Sequence, residues 1–311
     1  MPLDPSLEQR LTALAGVTRA QLAEDPALRA AVADIYRPAG DYAAPEVAVR
    51  EEWVDAATRL RARRYTPPRG AARGALVWLH GGGFAHGTLE DHEADTVSRE
   101  LCVRSGFVVL SLDYHLADGG EVVYPALHRE AAQALRWARA HAARLGFPAD
   151  RLVLGGASAG GNLALAAACE LRDRGEAGPR ALLLAYPALH RRLRTSPVHE
   201  ELMAPVPPVF RFSQEDMDAM WDTYTGGRTP APYASFERAD YAGLPRMFLV
   251  LAEYDDLRPG AAEAGERAVR QGVAVETYLA AGVLHGHLNN PPTVPETDRT
   301  LERMAAFLTT C

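Results

Sequence analysis

The sequence has few cysteines, and no two of them are placed to act together. Cys102, Cys169 and Cys311 are the only three in 311 residues, and no CxxC pair is present. This spacing disfavours both a disulfide framework and a thiolate metal site. Cys169 lies in an alanine-rich apolar run and is expected to be a small core residue.

Concentrated positive charge and long apolar runs are also missing. The net charge is −7, and the nearest approach to a dense basic cluster, residues 61–64 with Arg69 and Arg73, is interleaved with turn residues. We therefore expect no nucleic-acid partner. No apolar run approaches the length of a membrane span, and the first residues do not resemble a secretory signal. The expectation is a soluble, cytoplasmic protein without a membrane span, and the oligomeric state is left open, a homodimer included.

Apolar residues are plentiful, at 48% of the chain, and they occur in short runs separated by longer helical patterns. The runs are rich in Val and Leu and are bounded by Gly, Pro or Asp, which is typical of buried strands. An earlier pair of runs is expected to add antiparallel strands at one edge. The alternation predicts an α/β fold with a mainly parallel sheet and helices on both faces. Predicted strands are 47–54, 57–65, 75–79, 107–112, 152–154, 181–185, 247–251 and 273–279; predicted helices are 89–104, 126–144, 159–173, 259–271 and 295–309.

Two segments do not follow this alternation. The first 45 residues contain leucines at helical spacing. In the segment 188–236, four prolines between 197 and 208 precede an aromatic helical pattern near 217–224. An insertion of this length between strands is usually a functional loop or lid. We interpret both segments as parts of one small helical cap, the alternative being two unrelated surface segments. The expected division is cap 1–45, core 46–187, cap 188–236 and core 237–311.

A run of small residues surrounds one hydroxyl group, that of Ser158. Gly156-Ala157-Ser158-Ala159-Gly160 stands where the predicted strand 152–154 turns into the following helix. A nucleophile exposed on so tight a turn requires strained backbone angles and very small neighbours. The pattern therefore predicts a nucleophilic serine. The alternative, a glycine-rich phosphate loop, lacks the lysine of the GxxxxGK[ST] pattern and an acidic residue closing a following strand.

A serine hydroxyl needs a base to remove its proton. Of the ten histidines, His285 lies in the loop after the last predicted strand, and His287 is the competing choice. The acid that would orient the imidazole is expected within 253–256, directly after the strand 247–251, although Asp256 there is also a candidate helix cap. Loops at the carboxyl ends of parallel strands lie side by side. The order serine, acid, histidine is that of α/β-hydrolases.

The negative charge that develops on a substrate carbonyl oxygen needs hydrogen-bond donors. His80-Gly81-Gly82-Gly83-Phe84 follows the strand 75–79, and its glycines leave main-chain N–H groups unobstructed, as in HGGG-type oxyanion motifs. A zinc site is the alternative, because His80, His86 and His92 are six residues apart. That spacing places them on no common helical face, and a glycine run is a poor scaffold for ligands, which disfavours zinc.

Taken together, these motifs resemble the hormone-sensitive-lipase-like esterases, from about residue 45 to the C-terminus. The resemblance implies an α/β-hydrolase core with a helical cap, a small-molecule carboxylic ester as substrate, and no metal or organic cofactor. It places the catalytic triad on Ser158, Asp255 and His285 and the oxyanion donors on the N–H groups of Gly82, Gly83 and Ala159. The motifs that carry it are His80–Phe84, Asp113-Tyr114, Gly156–Gly161, Gly243-Leu244-Pro245, Glu253-Tyr254-Asp255 and His285-Gly286.

Three residues depart from the pattern of that family. Ala157 stands where Asp is usual, His115 where Arg is usual, and His287 where Phe is common. We expect altered hydrogen bonding at 157, a missing ion pair at 115 and a titratable group near the site at 287. Lactone or amide hydrolysis and elimination with His285 as base are alternative reactions on the same residues. A ligand receptor is the alternative from another class, because a fold does not determine function.

The cap leads to an expectation about substrate size. If its large side chains pack over Ser158, they enclose a mainly apolar pocket suited to a small ligand. The alternative is that they only pack the cap onto the core. We therefore expect short or compact esters to be preferred over long-chain lipids. The side chains expected in this pocket are Leu7, Leu11, Leu14, Phe210, Phe212, Trp221 and Tyr224.

Overall fold

The computed structural model describes residues 3, 5–36, 42–68, 70–229 and 231–311. The strands in this part of the chain form one sheet, in the order β1-β2-β4-β3-β5-β6-β7-β8. β1 and β2 are antiparallel to each other, β2 is antiparallel to β4, and every later pairing is parallel. The mainly parallel sheet with an antiparallel edge is confirmed. Its strands are β1 Ala48–Asp55, β2 Leu60–Thr66, β3 Ala75–Leu79, β4 Val108–Asp113, β5 Leu152–Ala157, β6 Ala181–Ala185, β7 Arg246–Tyr254 and β8 Val275–Leu284.

Helices cover both faces of the sheet. Successive side chains of a strand point to opposite faces, and β3 illustrates this, since Val77 joins one buried apolar cluster and Trp78 the other. The helices are α1 Pro5–Thr12, α2 Arg19–Glu24, α3 Pro26–Asp34, α4 Asp95–Ser105, α5 Ala126–Ala140, α6 Ala142–Leu145, α7 Ala159–Asp173, α8 Pro197–Met203, α9 Gln214–Thr225, α10 Arg258–Arg270 and α11 Pro295–Thr309. None of these helices is both long enough and apolar enough to cross a bilayer.

Two predicted helices differ from the observed ones for local reasons. The helix predicted over 89–104 begins only at Asp95, and the residues before it form turns in which Asp91 accepts the N–H of Thr88 at 2.8 Å. The helix predicted over 126–144 is interrupted at His141, whose imidazole Nδ1 lies 2.8 Å from the carbonyl oxygen of Trp137. At His141 the helical bond from its N–H to the carbonyl of Trp137 is still made, at 3.0 Å, but the backbone angles of φ −106° and ψ 10° lie outside the α-helical region and end α5 there.

The N-terminal helices and the mid-chain insertion share a separate apolar cluster. Leu7, Leu11 and Leu14 pack there with Met203 and Phe210. The expectation that Trp221 and Tyr224 join them is wrong, because both belong to the main core. There their rings contact Phe84, with centroid separations of 5.6 Å and 4.1 Å.

Candidate active site

Ser158 occupies the tight turn between β5 and α7. Its φ of 52° and ψ of −115° are strained for a residue with a side chain. Two hydrogen bonds hold this turn, since the N–H of Ser158 donates to Ala185 at 2.9 Å and its carbonyl accepts from Ala188 at 3.1 Å. A Cβ atom on Gly160 would overlap the main-chain oxygen of Leu79. The small neighbours therefore let α7 approach the end of β3.

The imidazole of His285 connects the other two predicted residues. Its Nε2 lies 2.9 Å from Oγ of Ser158, and its Nδ1 lies 2.8 Å from Oδ2 of Asp255. With the proton on Nδ1 donated to the carboxylate, Nε2 is the nitrogen that can accept the serine proton. Asp255 is 1% exposed, and its second oxygen accepts the N–H of Leu257 at 2.9 Å. The three residues form one hydrogen-bonded line.

The glycine loop after β3 passes beside the serine. A Cβ atom on Gly81 would come within 3.2 Å of Cβ of Ser158. Gly82 and Gly83 have φ values of 112° and 60°, which favour glycine. Among the described residues, no group accepts a hydrogen bond from the N–H of Gly82, Gly83 or Ala159. Because Ala159 is the first residue of α7, its N–H also lies at the positive end of that helix. These three groups can donate to an anionic oxygen.

Glu93 supports the glycine loop, and no sequence pattern indicates this role. Its carboxylate accepts the N–H of Gly81 and the hydroxyl of Tyr186, both at 2.6 Å, and it is 5% exposed. The Tyr186 ring contacts the edge of the His285 imidazole, with ring centroids 5.1 Å apart. Tyr186 could have been predicted, since it directly follows β6, at the sheet edge where functional residues of parallel sheets gather.

Tyr36 is a second contributor that the sequence patterns did not indicate. Its hydroxyl donates a hydrogen bond of 3.0 Å to the main-chain carbonyl of His285. The N-terminal segment therefore holds the loop that carries the imidazole, although 249 residues separate the two partners.

His287 is not a titratable neighbour of the kind expected. Its side chain is buried, and its Nε2 lies 3.1 Å from Oγ1 of Thr300. Burial, reinforced by the nearby His285, lowers the pKa of His287 to about 3. The imidazole is therefore neutral around neutral pH. As the competing base it is also unsuited, since the nitrogen bound to Ser158 belongs to His285.

Two other expectations about single residues need correction. The expected gap at His115 is filled, because its Nδ1 lies 2.8 Å from Glu130, which also accepts the main-chain N–H of His115. Asp256 does not cap α10, because its carboxylate contacts Arg211 and Phe212 of the insertion instead. Ala157 is fully buried in the core, in contact with apolar neighbours.

The described residues contain no group of three histidine, cysteine, aspartate or glutamate side chains arranged to hold a metal ion. Two of the three histidines considered for zinc contact main-chain carbonyls. Nδ1 of His80 is 2.7 Å from the carbonyl of Gly81, and Nδ1 of His92 is 3.0 Å from that of Asn289.

A cavity of about 380 Å³ opens beside the glycine loop. Of the side chains expected in the substrate pocket, Phe212 lines this cavity. Its ring packs edge-on against the His285 imidazole, with ring centroids 5.1 Å apart and ring planes at 85°. The cavity is lined by Gly82, Gly83, Ala85, His86, Phe212, Asp216, Ala219, Met220 and Thr223.

Comparison with known proteins agrees with this architecture. Residues 76–289 match the family described as alpha/beta hydrolase fold. Carboxylesterase NlhH of Mycobacterium tuberculosis is 33% identical over 277 residues, covering 85% of this chain and 83% of that protein. The Pyrobaculum calidifontis esterase structure has a TM-score of 0.81 at 30% identity, covering 99% of both chains. Hormone-sensitive lipase of Bos taurus is 37% identical over 140 residues, which are 44% of this chain and 18% of that protein.

The sheet, its covering helices and the family match define an α/β hydrolase. Within that class the chain belongs to the hormone-sensitive-lipase-like esterases, so the expected family is confirmed. It is a carboxylesterase-type hydrolase.

Proposed function

We propose that the chain cleaves carboxylic esters through an acyl-enzyme, with Ser158 as nucleophile, His285 as general base and Asp255 as the residue that orients the imidazole. The observation that carries this proposal is the line of contacts of 2.8 Å and 2.9 Å that joins Asp255, His285 and Ser158. Both distances lie within the range for proton transfer.

In the first half of the reaction, Nε2 of His285 takes the hydroxyl proton while Oγ of Ser158 bonds to the carbonyl carbon. The carbonyl electron pair moves onto oxygen, and the oxyanion accepts hydrogen bonds from Gly82, Gly83 and Ala159. When the tetrahedral intermediate collapses, the alcohol leaves and takes the proton from Nε2. An acyl group then remains on Ser158.

In the second half, His285 takes a proton from water, and the hydroxyl bonds to the acyl carbon. Collapse breaks the bond to Oγ of Ser158, which regains the proton from Nε2 as the carboxylic acid leaves. Asp255 stabilises the imidazolium in both halves. Its burial and its hydrogen bond from Leu257 hold the carboxylate in place during this charge transfer.

We further propose that the segments 1–45 and 188–236 act as one cap and that the site prefers short or compact esters. Two observations support this proposal: the two segments pack in a common apolar cluster, and the N–H of Val209 donates to the carbonyl of Val17 at 3.0 Å. The cavity of about 380 Å³ beside the glycine loop lies toward the small end of ligand pockets.

Covalent labelling combined with a substrate panel tests the proposed function. An aryl organophosphonate should add once to the protein, on the peptide that contains Ser158, and turnover of p-nitrophenyl acetate should fall in proportion to labelling. Matched ester, lactone and amide substrates then identify the bond that is cleaved. Labelling at another residue refutes the nucleophile, faster lactone or amide cleavage refutes the substrate class, and binding without any turnover indicates a receptor.

A further inference from the structure

The carboxylate of Asp256 binds the mid-chain insertion. It accepts a hydrogen bond of 2.8 Å from the main-chain N–H of Phe212, and two nitrogens of Arg211 each lie 2.9 Å from one of its oxygens. Asp256 is 3% exposed. Because it directly follows Asp255, this contact joins the insertion to the turn that carries the acid of the proposed triad.

Phe212 contacts two parts of the candidate site. Its ring packs edge-on against the imidazole of His285, with centroids 5.1 Å apart. The same side chain lines the cavity beside Gly82 and Gly83, where Met220 is another neighbour. The position of this ring therefore determines both the packing around the base and the width of the cavity.

The contacts of Asp256 are strong enough to hold this position. Burial raises the pKa of its carboxyl, but His199, Arg211 and the Phe212 N–H stabilise the carboxylate more, and the pKa lies below the usual value. A buried carboxylate with a two-nitrogen guanidinium contact has one preferred geometry. Arg211 also pairs with Glu200 at 3.0 Å, but that side chain is half exposed and such pairs contribute little.

We propose that Asp256 and Arg211 are positioning residues that hold the Phe212 ring against His285, and that Phe212 determines the size of ester the site accepts. This inference rests on the proposed role of His285 as base. Release of Phe212 from Asp256 allows the ring to leave the cavity wall. The kcat/KM of longer esters should then rise relative to that of acetate, because the cavity has more room for their acyl chains.

The test compares kcat and KM for p-nitrophenyl acetate and octanoate in the full-length chain. In Phe212→Ala, the octanoate-to-acetate ratio of kcat/KM should rise at least about tenfold, a typical effect of a few methylenes in an apolar pocket. Asp256→Asn and Arg211→Met should raise it about three- to tenfold by loosening the same ring. Adding Asp256→Asn to Phe212→Ala should give no further rise, because both changes act through one side chain.

Glu200→Gln is the matched control, since it removes the exposed partner of Arg211 and leaves the contacts of Asp256 intact. Its ratio should stay within about twofold of the parent. Arg211→Lys keeps the charge, so its octanoate-to-acetate ratio should lie between that of the parent and that of Arg211→Met. If Asp256→Asn does not fold, the comparison of Arg211→Met with Arg211→Lys provides the test.

Unchanged ratios in Asp256→Asn and Arg211→Met overturn the proposal, even where the unfolding temperature falls, because a merely structural role predicts that result. The proposal is also overturned if the double variant, Asp256→Asn with Phe212→Ala, has a higher octanoate-to-acetate ratio than Phe212→Ala alone. Organophosphonate labelling of the parent distinguishes a failure of the positioning role from a failure of the proposed function. A parent labelled at Ser158 with unchanged ratios in the variants refutes only the positioning role, whereas a parent labelled elsewhere refutes the proposed function.

Discussion

Asp255 and Asp256 are adjacent in the chain, yet their carboxylates bind different parts of the molecule. Oδ2 of Asp255 lies 2.8 Å from Nδ1 of His285, whereas Oδ2 of Asp256 lies 2.8 Å from the main-chain nitrogen of Phe212. One turn after β7 therefore contacts both the imidazole and the insertion. The two acids can be distinguished by substitution, because asparagine fits either place.

Asp255→Asn should reduce kcat far more than Asp256→Asn. An amide at 255 can hold the imidazole in the wrong tautomer, and the corresponding change in a serine protease lowers kcat by about 10⁴. For Asp256→Asn we expect a loss of about tenfold or less on p-nitrophenyl acetate, because Asp256 acts only through Phe212. Steady-state kinetics of both variants provide the measurement. Similar losses at the two positions, or a larger one at 256, would contradict the assignment of the acid.

Ser158→Ala should abolish ester turnover and leave the fold intact. The change deletes one oxygen from a turn that main-chain hydrogen bonds to Ala185 and Ala188 already hold. Loss of a catalytic serine lowers kcat by an order of 10⁶ in a serine protease. Turnover of p-nitrophenyl acetate and the thermal unfolding midpoint should be measured side by side. Turnover within tenfold of the parent, at an unchanged midpoint, would exclude Ser158 as nucleophile.

Much of the fold could be predicted because its signals are local. β3, β6, α7 and α11 have the predicted bounds, since each is a buried run or a helical pattern with Gly, Pro or Asp at or near one end. The break at His141 could not be predicted from periodicity. It is a change in the backbone angles of a single residue, and apolar spacing carries no information about such a change.

The residues of the candidate site also divide into those that local sequence patterns predict and those that they do not. Ser158 and the glycines of the glycine loop have local signatures, because their backbone angles demand particular residue types. Glu93 and Phe212 have none, because their positions depend on how separate segments of the chain pack. The interpretation of Asp256 as a candidate helix cap is wrong for this reason. A carboxylate at a helix start fits that role locally, and only the folded insertion supplies its other partners.

Glu93→Met should lower kcat by about tenfold or more with little change in KM. Methionine fills the space but accepts no strong hydrogen bond, so the N–H of Gly81, in the proposed oxyanion loop, and the hydroxyl of Tyr186 lose their partner. Loss of a donor within an oxyanion hole costs about 10²–10³ in kcat, and a support of the loop should cost less. Glu93→Gln retains an acceptor and should recover most of the activity. If Glu93→Gln lowers kcat as much as Glu93→Met does, hydrogen bonding is not the cause of the loss.

His287→Phe should weaken the pH dependence of stability between pH 5 and 6 and leave most of the activity. The pKa of His287 falls from an ordinary 6.5 to about 3 on folding, so between these values the unfolded chain binds a proton that the folded chain does not. Acidification below pH 6.5 therefore lowers the free energy of unfolding, by roughly 1.4 kcal/mol per pH unit for one group. The variant should lose that part of the slope in urea unfolding measured at several pH values. An unchanged slope would mean that His287 is protonated in the folded protein.

The last prediction concerns substrate size in the unmodified chain. Phe212 and Met220 line a cavity of about 380 Å³ beside the glycine loop, and the proposed preference for compact esters rests on this space. We expect kcat/KM for p-nitrophenyl acetate and butyrate to exceed that for the palmitate ester by at least about tenfold, because each methylene that does not fit costs binding energy in the transition state. The rate should also rise smoothly with concentration through the solubility limit of the substrate. Faster cleavage of palmitate, or an abrupt rise in rate once an oil phase forms, would contradict an enclosed site beneath the cap.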